Sequence, residues 1–435
     1  MNLSNVACLR FFIFLASAFL VFQPSTGFAQ DFRVFWKDGL RMETVDESVK
    51  LKVGGRVDVD AAWANANQTY KAKAGTTDTA ELRRARLGFE GELYERVEFA
   101  FDVDFAGDPA VDTDTTAGTD DTFGRTIEIK DAYLDFHVLP GDMSIQVGHY
   151  KEPFSLEELT SNKYITFMER GLPNAFSPER NLGVMVHGDS LMEGKATFAL
   201  GIFRDVDDNL SLEDPNGDGM VSDRAYALTT RLTFAPLLED KGEKLVHLGV
   251  SYTYRNTPDN EVKYDSRPEA HLFDKMVSTD DISDARSESR LSAEGAANFG
   301  PVSVQGEYMF AYVDSNSTGD PLFNGFYVQA SYFLTGEFRP YKEGKYARVH
   351  PTKNAFDDGG FGAWEVALRF SRLDLTDDGV TAGGEEKNLT AAINWYIHSN
   401  VRVMVNYVVA DAERAGSDSF PGTLHVAQTR LHFDI

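Results

Sequence analysis

Arginines two residues apart on an extended strand project from the same face. In the stretch 81–93, Leu87, Phe89 and Leu93 point one way, so Arg84 and Arg86 point the other. Arg83 shares the apolar parity and is expected at the rim of that strand. A guanidinium holds its donors in a planar fork and can grip an oxyanion such as phosphate through paired hydrogen bonds. Other arginines obey the same parity. Arg231 opposes Leu232 and Phe234, Arg56 opposes Val57 and Val59, and Arg369, Arg402 and Arg430 alternate likewise with apolar neighbours. Taken singly, each of these fits an arginine paired with Asp or Glu on an adjacent strand as well as one that meets a ligand. Lys151, Lys163, Arg170 and Arg180 fall instead in an irregular segment, 151–181, broken by Pro153, Pro173 and Pro178. That segment also holds Glu152, Glu157, Glu158, Glu169 and Glu179, for a net charge of -1. Its acids can pair with some of its bases and position the rest.

Covalent chemistry finds no support. The chain has no GxSxG, HExxH or P-loop, and its nine histidines show no metal-ligand spacing. Its single cysteine, Cys8, excludes a disulfide and a thiolate metal site from the body of the chain. Asp214, Asn216 and Asp218 lie in Asp-Pro-Asn-Gly-Asp-Gly, the first half of an EF-hand loop. Position twelve would be Ala225 rather than Glu, so the run reads either as a turn or as a surface Ca²⁺ site. No other cofactor is expected.

The elements that must carry these side chains alternate with period two. Val401, Val403, Val405, Tyr407 and Val409 alternate with Arg402, Met404 and Asn406; Trp364, Val366, Leu368 and Phe370 alternate with Glu365, Ala367 and Arg369. Such alternation gives each strand one apolar and one polar face. About sixteen segments of this kind run from residue 50 to 435, most of them as long as a tilted transmembrane strand. Short links at 94–95, 139–142, 299–301 and 398–400 contrast with long polar ones at 64–80, 107–125, 151–181, 205–223, 256–285, 375–385 and 411–422. A soluble sandwich would bury the apolar faces; a membrane barrel would turn them to lipid around a wet lumen, with short turns at one end and long loops at the other. The links favour the barrel, and the arginine pair then faces either its lumen or interfacial headgroups. Residues 339–360 depart from the pattern, being long on the short-turn side.

The whole sequence has 435 residues, with 42 Lys+Arg against 68 Asp+Glu and a formal net charge of -26. Such acidity argues against a nucleic-acid binder. The acids concentrate in the links: 107–125 is net -4, 205–223 net -7 and 256–285 net -5. Screening over roughly 8 Å weakens their reach to a deep constriction. At the N-terminus, Arg10, an apolar run from Phe11 to Phe22, and Gly27-Phe28-Ala29 read as an export signal, 1–29, rather than an anchor. An N-terminal periplasmic segment, 30–48, is then expected to precede the barrel, 49–435.

Several blocks together resemble the phosphate-selective porins O and P. They are ELRRARLGFEGEL (81–93), GHYKEPFSLEELTSNKYITFMERGLPNAFSPERNLGV (148–184), YVQASYFLTGEFRPY (327–341), GAWEVALRFSRLDL (362–375) and NWYIHSNVRVMVNYV (394–408). The resemblance implies an all-β transmembrane antiparallel barrel of sixteen strands in the outer membrane, beside lipid and lipopolysaccharide, usually as a homotrimer. It also implies a constricting third loop with a critical lysine, for which Lys163 is the candidate, and diffusion of inorganic phosphate or other small anions. A general or cation-preferring porin is the rival within transport; a barrel hydrolase or adhesin is the rival outside it.

Overall fold

The computed structural model describes residues 32–37, 39–66, 78–107, 127–206, 226–257, 261–357, 359–377, 380–413 and 422–435. The expected export signal and the loop with Asp214, Asn216 and Asp218 lie outside them.

In chain order the described strands are β1 (Phe32–Trp36), β2 (Leu40–Thr44), β3 (Val49–Ala66), β4 (Asp78–Leu93), β5 (Val97–Asp104), β6 (Glu128–Leu139), β7 (Met143–Lys151), β8 (Arg180–Ser190), β9 (Ala196–Arg204), β10 (Tyr226–Glu239) and β11 (Lys244–Asn256). Two-residue ladders follow: β12 (Glu261–Val262), β13 (Asp265–Ser266), β14 (Val277–Ser278) and β15 (Ile282–Ser283). Then come β16 (Ala285–Phe299), β17 (Val302–Ser315), β18 (Leu322–Phe333), β19 (Tyr341–Lys342), β20 (Lys345–Tyr346), β21 (Ala363–Asp377), β22 (Thr381–His398), β23 (Val401–Glu413) and β24 (Gly422–Asp434). Between β7 and β8 lie a single helical turn, α1 (Leu156–Leu159), and a 3₁₀ turn (Leu172–Phe176).

Strands β3–β11, β16–β18 and β21–β24 each pair antiparallel with the next, and β24 returns to β3, with Leu424 opposite Ala66 and Asp434 opposite Arg56. This closes a sixteen-stranded antiparallel barrel and leaves no edge along its wall. The hairpin β1–β2 continues the sheet at one rim, where β2 pairs with the first residues of β3.

The alternation read from the sequence sets the two faces. On β17, Val302, Val304, Tyr308, Phe310 and Tyr312 are exposed on the outside, while Ser303, Gln305, Glu307, Met309 and Ala311 are buried inside. Trp364 and Trp395 stack on the outer face at 5.3 Å near the short-turn rim, and both indoles donate to the Phe361 carbonyl. Tryptophan suits that level because its ring is apolar and its N–H polar. No helix among the described residues is long and apolar enough to cross a membrane.

Three expectations need correction. The link 375–385 is a tight hairpin, because β21 and β22 run on as polar strands, with Asp377 opposite Thr381. The alternation fades there, so periodicity ends too early. The segment 256–285 does not simply project outward: Ala270, Phe273, Met276 and Val277 pack in one buried cluster with Phe176, Phe323, Val408 and Val426. Finally, β18 ends at Phe333, so the departure at 339–360 is a genuine excursion from the short-turn end and a longer one, 334–362. It turns back into the barrel, where Tyr341 Oη meets His247 Nδ1 at 2.7 Å and Tyr346 Oη reaches Asn298 at 3.1 Å.

Candidate functional site

The segment between β7 and β8 folds into the lumen. Phe154, Leu156, Phe167, Met168, Leu172 and Phe176 are almost wholly buried there. Each such side chain contributes roughly 1.5–3 kcal/mol through removal from water, and the wall then fixes the backbone. Glu307 on β17 accepts the N–H groups of Leu156 (3.1 Å) and Glu157 (2.8 Å). Glu152 accepts from Asn181 (2.7 Å) and from Arg255 Nη1 (2.8 Å).

Arg369, Arg402 and Arg430 act on the same backbone. Arg402 donates to Ile165 O at 2.9 Å, Arg430 to Met168 O at 2.5 Å, and Arg369 to Glu169 O at 2.9 Å. These three are therefore anchors of the loop. Glu269, from the segment after β11, joins them: it accepts from Arg369 Nη2 and Thr390 Oγ1, each at 2.6 Å.

With that side filled, the remaining space is eccentric. A cavity of about 870 Å³ lies between the loop and the wall from β3 onward. Its lining includes the expected path residues Arg84, Arg86, Lys151, Lys163, Arg170, Arg180 and Arg231, together with Arg56, but not Arg369, Arg402 or Arg430. Its lining holds fourteen Lys and Arg against twelve Asp and Glu, in a chain that is net -26 overall.

The cations differ in how firmly they are held. Arg180 grips Asp131 through two bonds of 3.0 and 2.9 Å. Arg231 is clamped by Glu294 (2.5 Å) and by Gly344 O (2.8 Å) of the 334–362 excursion. Lys151 and Arg170 share Glu158, at 2.7 and 3.2 Å. Burial raises the Glu158 carboxyl, but Arg170 and Lys151 outweigh it and hold it down at about 2. Arg86 pairs with Asp104 at 2.7 Å. Three others are loosely paired: Arg84 with Asp58 (3.3 Å) and Glu169 (3.9 Å), Arg56 with Asp58 (3.7 Å), and Lys163 with Asp434 (3.9 Å). Burial pushes the Lys163 ammonium below the ordinary lysine value, while Asp434 opposes that shift.

Arg83 does not stay on the rim. Asp58 faces Arg84 whereas Val59 faces Leu82, so Arg83 is the extra residue of a β-bulge. A bulge sets two residues against one and re-aims a side chain. Arg83 therefore turns inward beside Arg84 and reaches Glu169 at 3.3 Å. Lys130 was missed for the same reason: Asp102 faces Asp131 and Val103 faces Ile129, which leaves Lys130 extra on β6. The signal was present. Leu82 and Leu87 are both exposed outward although their numbers differ in parity, which demands an inserted residue between them.

Known proteins place this geometry. The family model described as phosphate-selective porin O and P matches residues 51–435. Porin O of Pseudomonas aeruginosa is 27% identical over 444 residues, covering 92% of this chain and 93% of that protein. A Caulobacter vibrioides protein is 28% identical over 386 residues, covering 88% of this chain and 72% of the relative. Among solved structures, OmpF of Salmonella typhi superimposes with a TM-score of 0.54 at 13% identity, covering 93% of this chain and all of that one.

Proposed function

The chain belongs to the phosphate-selective porin O and P family, and from that premise we propose that phosphate and related small anions diffuse passively through its eccentric lumen. The outer membrane is the site of action that the family assigns, and a homotrimer with an export signal completes the reading. Catalysis is not required at any step.

The single observation that carries the anion preference is the small cationic excess of the cavity lining, fourteen against twelve, inside a strongly acidic chain. An entering oxyanion exchanges hydration water for guanidinium and ammonium donors. Arg84, Arg56 and Lys163 are the donors with loosely held partners, and Arg83 and Arg86 flank them. Asp58, Asp104 and Glu169 play the opposing part. They hold the guanidiniums in place and keep the anion's residence weak enough for release, which conduction demands. Arg180 and Arg231, tightly paired, contribute to the field and hold the wall together.

The experiment is the reversal potential of the purified protein in a planar bilayer under a salt gradient. An anion-favouring sign, with small-anion current blocked by phosphate, supports the reading. A cation-favouring sign overturns it in favour of a cation-preferring porin. A barrel that conducts nothing would point to a hydrolase or adhesin.

A further inference from the structure

At the short-turn end of the inner wall, beside the cavity that His187 and Asp189 also line, strands β5, β6 and β8 bring together Glu98, Asp135 and His137, and His187. One ligand-competent atom from each of Glu98, Asp135 and His137 lies within 4.8 Å of the other two. Glu98 and Asp135 are cross-strand partners, and His137 Nε2 stands 3.3 Å from Glu98 Oε1.

Two features separate this group from an ordinary acidic patch. Asp135 is 6% exposed, and its Oδ1 has no hydrogen-bond partner among the described residues. A buried carboxylate oxygen without a donor is costly unless something positive meets it. The second feature is outer support. Ser144 Oγ lies 2.8 Å from His137 Nδ1, which leaves Nε2 as the nitrogen directed at the carboxylates. His187 Nε2 holds Asp135 Oδ2 at 3.0 Å while its Nδ1 meets Asp189, also at 3.0 Å. Metal-binding imidazoles and carboxylates are characteristically oriented by such partners.

We propose that Glu98, Asp135 and His137 form a binding site for a borderline divalent cation of the Zn²⁺ class. One imidazole and two carboxylates match the donor preference of such an ion, with a fourth position left for water. Bonds of about 2.1 Å to three ligands bring the ligand atoms to roughly 3.4 Å from one another. Rotation of Glu98 and His137, both exposed, closes the gap. The neighbouring ammonium of Lys342 is paired with Glu343 at 2.5 Å.

Zn²⁺ titrated into the detergent-purified chain, followed by calorimetry and equilibrium dialysis, tests this, with Mg²⁺ as the comparison. One Zn²⁺ site per chain is expected that His137→Ala and Glu98→Gln each weaken roughly ten-fold or more. Mg²⁺ should bind far more weakly, because the site contains an imidazole. Both substituted residues are exposed, and heat-modifiable gel mobility verifies that each variant retains its barrel. A Zn²⁺ isotherm unchanged by His137→Ala, or Mg²⁺ bound as tightly as Zn²⁺, would overturn the proposal. Neither result depends on ion selectivity, so the site stands or falls separately from anion conduction.

Discussion

Arg56 on β3 and Arg86 on β4 are direct cross-strand partners on the inward face of the barrel. Like charges directly opposite one another destabilise a sheet. Here the nearby carboxylates offset the repulsion only in part: Asp104 binds Arg86 at 2.7 Å, but Asp58 stands 3.7 Å from Arg56. Arg56 Nε has no hydrogen-bond partner among the described residues. On the proposed function, a passing anion would meet this pair of guanidiniums.

Replacing Arg84 and Arg86 together with Ala is expected to weaken phosphate block of small-anion current at least about ten-fold, the scale of one lost charge-assisted hydrogen bond. Single-channel current measured against phosphate concentration checks it. Unchanged block would remove both residues from the path.

Glu169 should act in the opposite direction. Its carboxylate meets Arg83 (3.3 Å), Arg84 (3.9 Å) and Arg430 (2.6 Å). Glu169→Gln keeps the shape and an acceptor for Arg430 while removing the charge. Phosphate block is expected to tighten several-fold, and the anion preference in a salt gradient to increase. A shift toward cations would contradict this assignment.

Glu307 holds the entry of the lumenal loop through two backbone N–H groups. Glu307→Ala leaves both donors buried and unsatisfied, at a cost of about 1–3 kcal/mol each. The expected outcome is a larger and noisier single-channel conductance with reduced selectivity, from a barrel that still shifts its mobility on heating. Glu307→Ala channels as quiet and selective as the wild type would show that the loop is fixed elsewhere.

The pH dependence follows from Lys163. Burial lowers its ammonium below the ordinary lysine value, and Arg56 and Arg348 add to that lowering, while Asp434 and Glu90 resist it. The charge is complete below the lowered value and is lost as pH rises through it. Anion conductance should therefore fall at a lower pH than a solvated lysine would predict. Lys163→Arg, which stays protonated, should remove the share of that fall that Lys163 causes. Conductance–pH curves of the two proteins decide the matter.

The barrel was legible because alternation is a local signal and lipid enforces it on every strand. Val401 to Val409 declare their faces in the sequence, and the closing pair β24–β3 follows from an even count. The inward aim of Arg84 and Arg86 came from the same rule. Arg83 and Lys130 escaped it because a bulge breaks the parity that the rule assumes, although Leu82 and Leu87 recorded the break. Which arginines line the path could not be read strand by strand. Arg369 and Arg84 have the same alternation, yet one holds Glu169 O and Glu269 while the other faces the cavity. That distinction depends on where the lumenal loop rests, and loop packing joins residues more than 200 positions apart. The inward turn of 334–362 was likewise hidden, since its tyrosines find partners on β11 and β16.

The off-centre plug divides the cylinder into two unequal arcs with separate duties. Arg369, Arg402 and Arg430 belong to an arc that holds the loop, whereas the arc around β3–β10 lines the cavity and, on the proposed function, would serve as filter. Cargo preference can accordingly drift through substitutions on the filtering arc while the other arc keeps the insert seated, so one scaffold can be retuned for different solutes without being rebuilt.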